Sequence, residues 1–452
     1  MTRRTGHESS RHRALGALGA LAVLAATILI LCVTFEIAVR WLAPQPIAFH
    51  AIRELDAPSD PQSRLAGAPP ASAGTEERVA FLAQHALGSF QLGRRYVSQK
   101  VLVELNSRGW RDEEVAIPRN PGSFRAVVLG DSVVFGYGVP LEQTFQKVAQ
   151  RELRSRLPQV PIEVLSFGRQ GQTLYGSERF LPGIARIYRP DVVVIVVNMN
   201  DILPRPRGRS DQAASARFIR SILSIFRTHV DRRLTSVSHG YFLIRDRVKR
   251  LIFLFGYTPD ELGQLACFEP DALESAAAWR DVFTSLEQMT DTIQSHGASP
   301  MILVLPAAPQ LGPEHADIWR SEYRLRFSDA FARGRPQQMI GRWSAERGVP
   351  LVDPLAEMIE HARESERRLF FGDSNGVSDW NHPTAAGHRS LGHALEAALR
   401  PHLPEPVSEH EIQGAGVHRR PASRRASRNH GRITDSAMTP RDILLLPTRR
   451  SV

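Results

Sequence analysis

FRAVVLGDSVVFGYGV, residues 124–139, is the stretch from which the rest of the chain reads. Ala126, Val127, Val128 and Leu129 are a continuous apolar run, the pattern of a parallel strand buried on both faces. The run stops at Gly130-Asp131-Ser132, and Gly136 and Gly138 follow before a helical pattern begins near Leu141. A small hydroxyl residue placed where a buried strand ends lies at the carboxyl edge of a sheet, where open α/β folds bind their ligands. The bland alternative is a plain strand-to-loop turn. A second Gly-Asp-Ser, residues 372–374, follows Arg367 and Arg368 with no β-branched run before it, and reads as a decoy.

Outward from that strand the chain alternates. Glu142–Leu157 has helical spacing, Ile162–Phe167 reads as a second strand, and Gly168 and Gly171 follow it. A helix over about 176–188 leads to Asp191–Val197, DVVVIVV, the strongest strand signal present. After a polar, basic stretch with amphipathic segments near 213–226 and 241–255, the alternation resumes. It continues with a helix at 272–295, a strand at 301–305, a helix at 337–347, a strand at 350–352 and a last helix at 384–399. Five strands joined through helices predict right-handed crossovers and a doubly wound, five-stranded parallel sheet. The expected strand order is the flavodoxin-like 2-1-3-4-5. Residues 204–270 read as a helical insertion whose Leu251–Phe255 is apolar enough for a lid or a membrane-facing surface.

Four positions then fall on one sheet edge. Ser132 follows the first strand, Gly171 the second and Asn200 the third, while Asp379 and His382 precede the last helix. Acyl chemistry needs that mixture: a nucleophile, a base for its proton, and donors for an oxyanion. A serine hydroxyl alone is a weak nucleophile at neutral pH. His382, in DWNHPTAAGH, is the candidate base, and Asp379 stands three residues before it to hold the other ring nitrogen. His388 is the fallback base. Strand, Gly-Asp-Ser, Gly-Tyr-Gly and the closing D-x-x-H-P resemble the SGNH (GDSL-type) esterase/lipase superfamily. The resemblance spans about 106–399 and is weak across the insertion. It implies a Ser132-His382-Asp379 triad. It also implies an oxyanion hole made of the N–H of Ser132, the N–H of Gly171 and the side-chain amide of Asn200. Gly168 competes with Gly171, Gly171 can instead be a turn glycine, and Asn200 can be a capping or turn residue. One departure stands out: Asn198 occupies the place where the family's third block has glycine. Membrane-anchored bacterial members often carry an N-x-x-G-aromatic-R segment like Asn106–Arg111, here expected to pack beneath the sheet.

The remainder bounds the setting. The net charge of +10 lies mostly in arginines at the two ends, so it says little about the substrate, and nucleic acid is not an expected partner. Cys32 and Cys267 are the only cysteines, which excludes a disulfide framework and a cysteine metal site. No metal and no cofactor is expected. Ala14–Phe35 runs 22 residues without a charge, enough to cross about 30 Å of hydrocarbon as a helix, and longer than a cleavable signal needs. Arginines before it predict a cytoplasmic 1–13, a signal anchor at 14–35 and a catalytic domain (96–400) in the periplasm or outside. Proline-rich 43–74 reads as a linker and basic 401–452 as disordered. The leading expectation is a serine esterase of the inner membrane acting on O-acyl, foremost O-acetyl, esters of an envelope carbohydrate or lipid. An O-acyltransferase acting on an envelope polysaccharide through the same acyl-serine is the alternative. An inactive binding module is the third reading.

Overall fold

The computed structural model describes residues 5–45, 47, 52–54, 95–202, 230–254, 273–312, 334–364, 368–372 and 379–404. The linker, the basic tail, Ser374 and the amphipathic segment at 213–226 lie outside the described residues, apart from a few at the linker's start and the tail's first four. The first helix, α1 (Thr5–Leu42), continues past the expected end at Phe35 and carries Glu36 and Arg40 in its last two turns. Its Gly19–Leu42 portion is long and apolar enough to cross a membrane, with almost none of it buried.

The sheet comprises β4 (Phe124–Gly130), β5 (Ile162–Gly168), β6 (Val192–Val197), β7 (Ser299–Val304) and β8 (Leu351–Val352). All its pairings are parallel and the order is β5-β4-β6-β7-β8, the expected 2-1-3-4-5. The apolar runs explain why β4 and β6 sit at the centre: every residue of both is buried, so both faces need cover. Alternate residues serve opposite layers. Val127, Leu129, Val193, Ile195 and Val197 face α4 (Leu174–Tyr188), α7 (Leu273–Ser295) and α8 (Arg335–Arg347). Ala126, Val128, Val192, Val194 and Val196 face α3 (Phe145–Arg156), α9 (Leu355–Glu364) and α10 (Ala385–Leu399).

Two smaller sheets bracket the carboxyl edge. β1 (Ile52–Glu54), β2 (Arg95–Ser98) and β3 (Val101–Glu104) form an antiparallel sheet, with Tyr96 and Val103 packed together with Leu105 and Phe135. Phe135 belongs to α2 (Ser132–Phe135), the single turn after β4, so this sheet presses on the turn that carries Ser132. β9 (Phe370–Gly372) and β10 (Asp379–Pro383) pair antiparallel, placing Asp379 and His382 on a short strand just before the last helix. The insertion contributes two described helices, α5 (Arg232–Val237) and α6 (His239–Leu254).

Candidate active site

β4 delivers Ser132 through a sharp turn. Asp131 caps α2, its Oδ1 accepting from the Val133 N–H at 2.9 Å. Gly136 ends the turn at φ 79°, a left-handed conformation that suits glycine. The turn fits closely against β5: a Cβ on Gly168 would come within 2.1 Å of the Phe135 nitrogen. Gly168 is therefore a packing glycine. Gly171, at φ 69°, has nothing within 4 Å of where a Cβ would stand. Neither the Gly171 nor the Ser132 N–H is taken up by another group among the described residues.

Ser132 and His382 meet although 250 residues separate them. Ser132 Oγ lies 2.8 Å from His382 Nε2. On the other side of the ring, His382 Nδ1 lies 2.9 and 3.0 Å from the two Asp379 carboxylate oxygens. Asp379 is itself fixed by the backbone N–H groups of Asn381 and His382, which donate to its Oδ1 at 3.2 and 3.0 Å. Tyr137 stacks on the imidazole, ring centres 4.0 Å apart and planes 25° from parallel. Burial works against a charge on His382, but the Asp379 carboxylate, through its charge and hydrogen bond, and the charge of Asp131 outweigh it and raise the imidazole pKa.

Asp131 organises the third strand end. Its Oδ2 accepts from Asn200 Nδ2 at 2.8 Å and from Asn198 Nδ2 at 2.9 Å. The Asn200 amide nitrogen has a second hydrogen beyond the one given to Asp131. Asn198, buried where the family pattern has glycine, thus ties the end of β6 to the end of β4. It also accepts from Met199 N–H at 2.7 Å, and its own N–H donates to Asp201 Oδ2 at 2.9 Å. Burial and the neighbouring Asp131 charge push Asp201 up to about 8. His388 is elsewhere: its Nδ1 accepts from the Phe145 N–H at 3.2 Å, inside the core. Burial, then Arg111 and His382, bring it down to about 3, so it stays neutral as a helix-start acceptor.

Sequence reasoning expected Asn106–Arg111 beneath the sheet. Trp110 does pack there, 4.6 Å from the Phe167 ring. Arg111 does something different. Its buried guanidinium donates to the carbonyls of Phe135 (2.9 Å), Gly136 (2.6 Å), Val139 (2.9 Å) and Leu102 (3.1 Å), gathering the carboxyl end of the turn that bears Ser132 and the small sheet. Beside it Asp112 pairs with Lys147 and accepts from the Ser166 N–H at 2.6 Å. The arginine in the motif was a signal, but its four carbonyl partners have no side-chain signature. Arg111→Ala should cost about 3 kcal/mol, because carbonyls that lose a charged donor stay buried. Arg111→Lys should not restore it, since one ammonium cannot serve that fork. Denaturant midpoints check both; a wild-type midpoint for either would remove the clamp.

Residues 128–390, more than half of the chain, match the model of the GDSL-like Lipase/Acylhydrolase family. No curated protein sequence matches the chain. Among solved structures, a member of the lipolytic protein G-D-S-L family from Veillonella parvula is 11 % identical, with 62 % of this chain and 99 % of that one covered and a TM-score of 0.34. The acetyl xylan esterase AlAXEase is 12 % identical, with 61 % and 100 % covered and a TM-score of 0.34. The psychrotrophic esterase EstA from Pseudoalteromonas sp., inhibited by monoethylphosphonate, is 12 % identical, with 61 % and 97 % covered and a TM-score of 0.29. The matched family segment begins inside β4 and closes inside α10, taking in every strand end just described, and the chain belongs to the GDSL-like lipase/acylhydrolase family, serine hydrolases acting on esters.

Proposed function

We propose that Ser132 is the nucleophile, His382 the general base and Asp379 its orienting carboxylate in the hydrolysis of O-acyl esters on an envelope glycan or lipid. The observation that carries the reading is the unbroken chain Ser132 Oγ to His382 Nε2, then His382 Nδ1 to Asp379. His382 takes the hydroxyl proton as Oγ attacks the ester carbonyl. The oxygen of the tetrahedral intermediate, now negative, is met by the N–H of Ser132, the N–H of Gly171 and the amide of Asn200. One such donor is worth roughly 3–4 kcal/mol in the transition state. His382 then gives the proton to the departing alcohol oxygen, leaving acyl-Ser132. Water, deprotonated by the same imidazole, releases the acid and restores the serine. Acetyl is the favoured acyl group. The detergent-solubilised chain should turn over p-nitrophenyl acetate. Adding an envelope polysaccharide separates the two fates of acyl-Ser132: acetate release unchanged means water is the acceptor, whereas acetylated polysaccharide at the expense of free acetate means a transferase.

The raised imidazole sets the pH dependence. The base works only when neutral, so kcat/KM should rise with pH through a limb above the ordinary imidazole value of about 6.5. A limb below that value, or a flat profile, would assign the base to another group. The reading puts the catalytic domain outside the cytoplasmic membrane, because Arg11 and Arg13 precede the apolar span of α1. A C-terminal alkaline phosphatase fusion should then be active in intact cells; activity only from a cytoplasmic reporter would reverse the orientation and with it the envelope substrate.

A further inference from the structure

The carboxyl end of α1 is joined to the insertion, far from it in sequence. Glu36 accepts from Ser238 Oγ at 2.7 Å and from the N–H groups of His239 and Gly240 at 3.0 and 2.8 Å, capping the first turn of α6. Arg40 bonds Glu36 at 2.6 Å and donates to the Val237 carbonyl at 2.9 Å. The Gln45 N–H reaches His239 Nδ1 at 2.8 Å. Phe35 lies so close to Gly240 that a Cβ there would come within 2.9 Å of its ring. This is a fitted junction, made at the level where the apolar span gives way to charged residues.

The helices held there leave apolar side chains in the open. On α6, Ile244, Val248 and Leu251 recur at helical spacing and are each about half exposed (51 %, 47 % and 51 %). Leu234 and Val237 of α5 add to them. Phe242, on the side of α6 away from this stripe, is buried, while Tyr241 and Arg245, beside the stripe and on its flank, bond Asp231. The α6 sequence carries Arg245, Arg247, Lys249 and Arg250 against the single Asp246. An exposed apolar stripe on a basic helix has the composition of a segment that lies in a lipid headgroup layer. Its continuity with α1 selects the occupant, because Ile37, Trp41 and Leu42 at the same end of α1 are exposed as well. We infer that α5–α6 is a second membrane contact, seated by its Ile244-Val248-Leu251 stripe in the anionic phospholipid surface from which α1 emerges. This rests on the reading of α1 as a membrane span. The insertion leaves the sheet just after the turn that bears Asn200, so such a contact ties the catalytic edge to the bilayer surface.

The test uses the full chain with Cys32→Ser and Cys267→Ser, carrying one cysteine labelled with an environment-sensitive nitrobenzoxadiazole dye. Val248→Cys reports the stripe, Leu29→Cys the span, and exposed Ser155→Cys on α3 the aqueous face. Each protein is reconstituted in phosphatidylcholine vesicles with about one-third phosphatidylglycerol, with and without bromine on the acyl chains. The inference expects a blue shift at residue 248 and bromolipid quenching at least half that at residue 29, with residue 155 unquenched. Replacing phosphatidylglycerol by the zwitterionic lipid should weaken quenching at 248 and leave 29 unchanged; equal quenching at 248 in both would remove the anionic preference. Quenching at 29 with none at 248 overturns the inference alone, and a blue shift at 248 without quenching means that a protein surface covers the stripe. No quenching at 29 overturns the membrane reading of α1, and the inference with it.

Discussion

Ser132→Ala should lower esterase turnover by a factor of at least about 10⁴ while leaving thermal unfolding almost unchanged. The two halves of that expectation come from different contacts. Ser132 Oγ bonds the His382 imidazole, so its removal takes the attacking atom and its proton path together. The turn itself is held by other groups: Asp131 caps it, Gly136 ends it, Arg111 gathers its carbonyls and Phe135 is buried beneath the small sheet. His382 keeps Asp379 and the stacked Tyr137, so the site stays ordered without the hydroxyl. A fluorophosphonate probe should label the wild type at Ser132 and fail on the variant, whereas Ser374→Ala should keep full activity. Turnover in Ser132→Ala, or label on Ser374, would move the catalytic strand elsewhere in the chain.

What could be read from sequence tracks what local pattern encodes. The apolar runs of β4 and β6 announce strands buried on both faces, and the preference for right-handed crossovers leaves little choice in the order of the sheet. The carboxyl edge then gathers Ser132, Gly171 and Asn200 by topology alone. Gly168 and Gly171 were harder to separate, since the difference is spatial: the first is closed in by the Phe135 backbone and the second faces open space. The β9–β10 hairpin was missed because a three-residue strand has no periodicity to show. Asp131 was read only as the middle of Gly-Asp-Ser, yet it collects the Asn198 and Asn200 amides across the strand ends. That role also accounts for the unexpected Asn198: the side chain that replaces glycine is used as a cross-strand tie. The capping of α6 by Glu36 joins positions about 200 residues apart, and no local rule reaches that far.

Asp379→Asn should reduce kcat by roughly 10³–10⁴ with KM nearly unchanged. The asparagine carbonyl can still accept the N–H groups of Asn381 and His382, so the geometry of β10 should survive. Its amide, however, donates where the carboxylate accepted. Facing His382 Nδ1 with a donor favours the tautomer whose proton is on Nε2, the atom that must accept from Ser132. The imidazolium formed during attack also loses its counter-charge. Both effects act in the transition state, which is why kcat should fall and substrate binding should not. A second signature separates this from simple misfolding. Because Asp379 raises His382, its removal should move the pH limb of whatever activity remains downward. A raised histidine pKa stabilises the fold fully below the unfolded value of about 6.5, and that stability is lost as pH climbs through the folded value. The melting-temperature loss in Asp379→Asn should therefore be larger at about pH 5 than at about pH 8. An equal loss at both, with KM rising as kcat falls, would make Asp379 a structural prop and leave His382 without its orienting carboxylate.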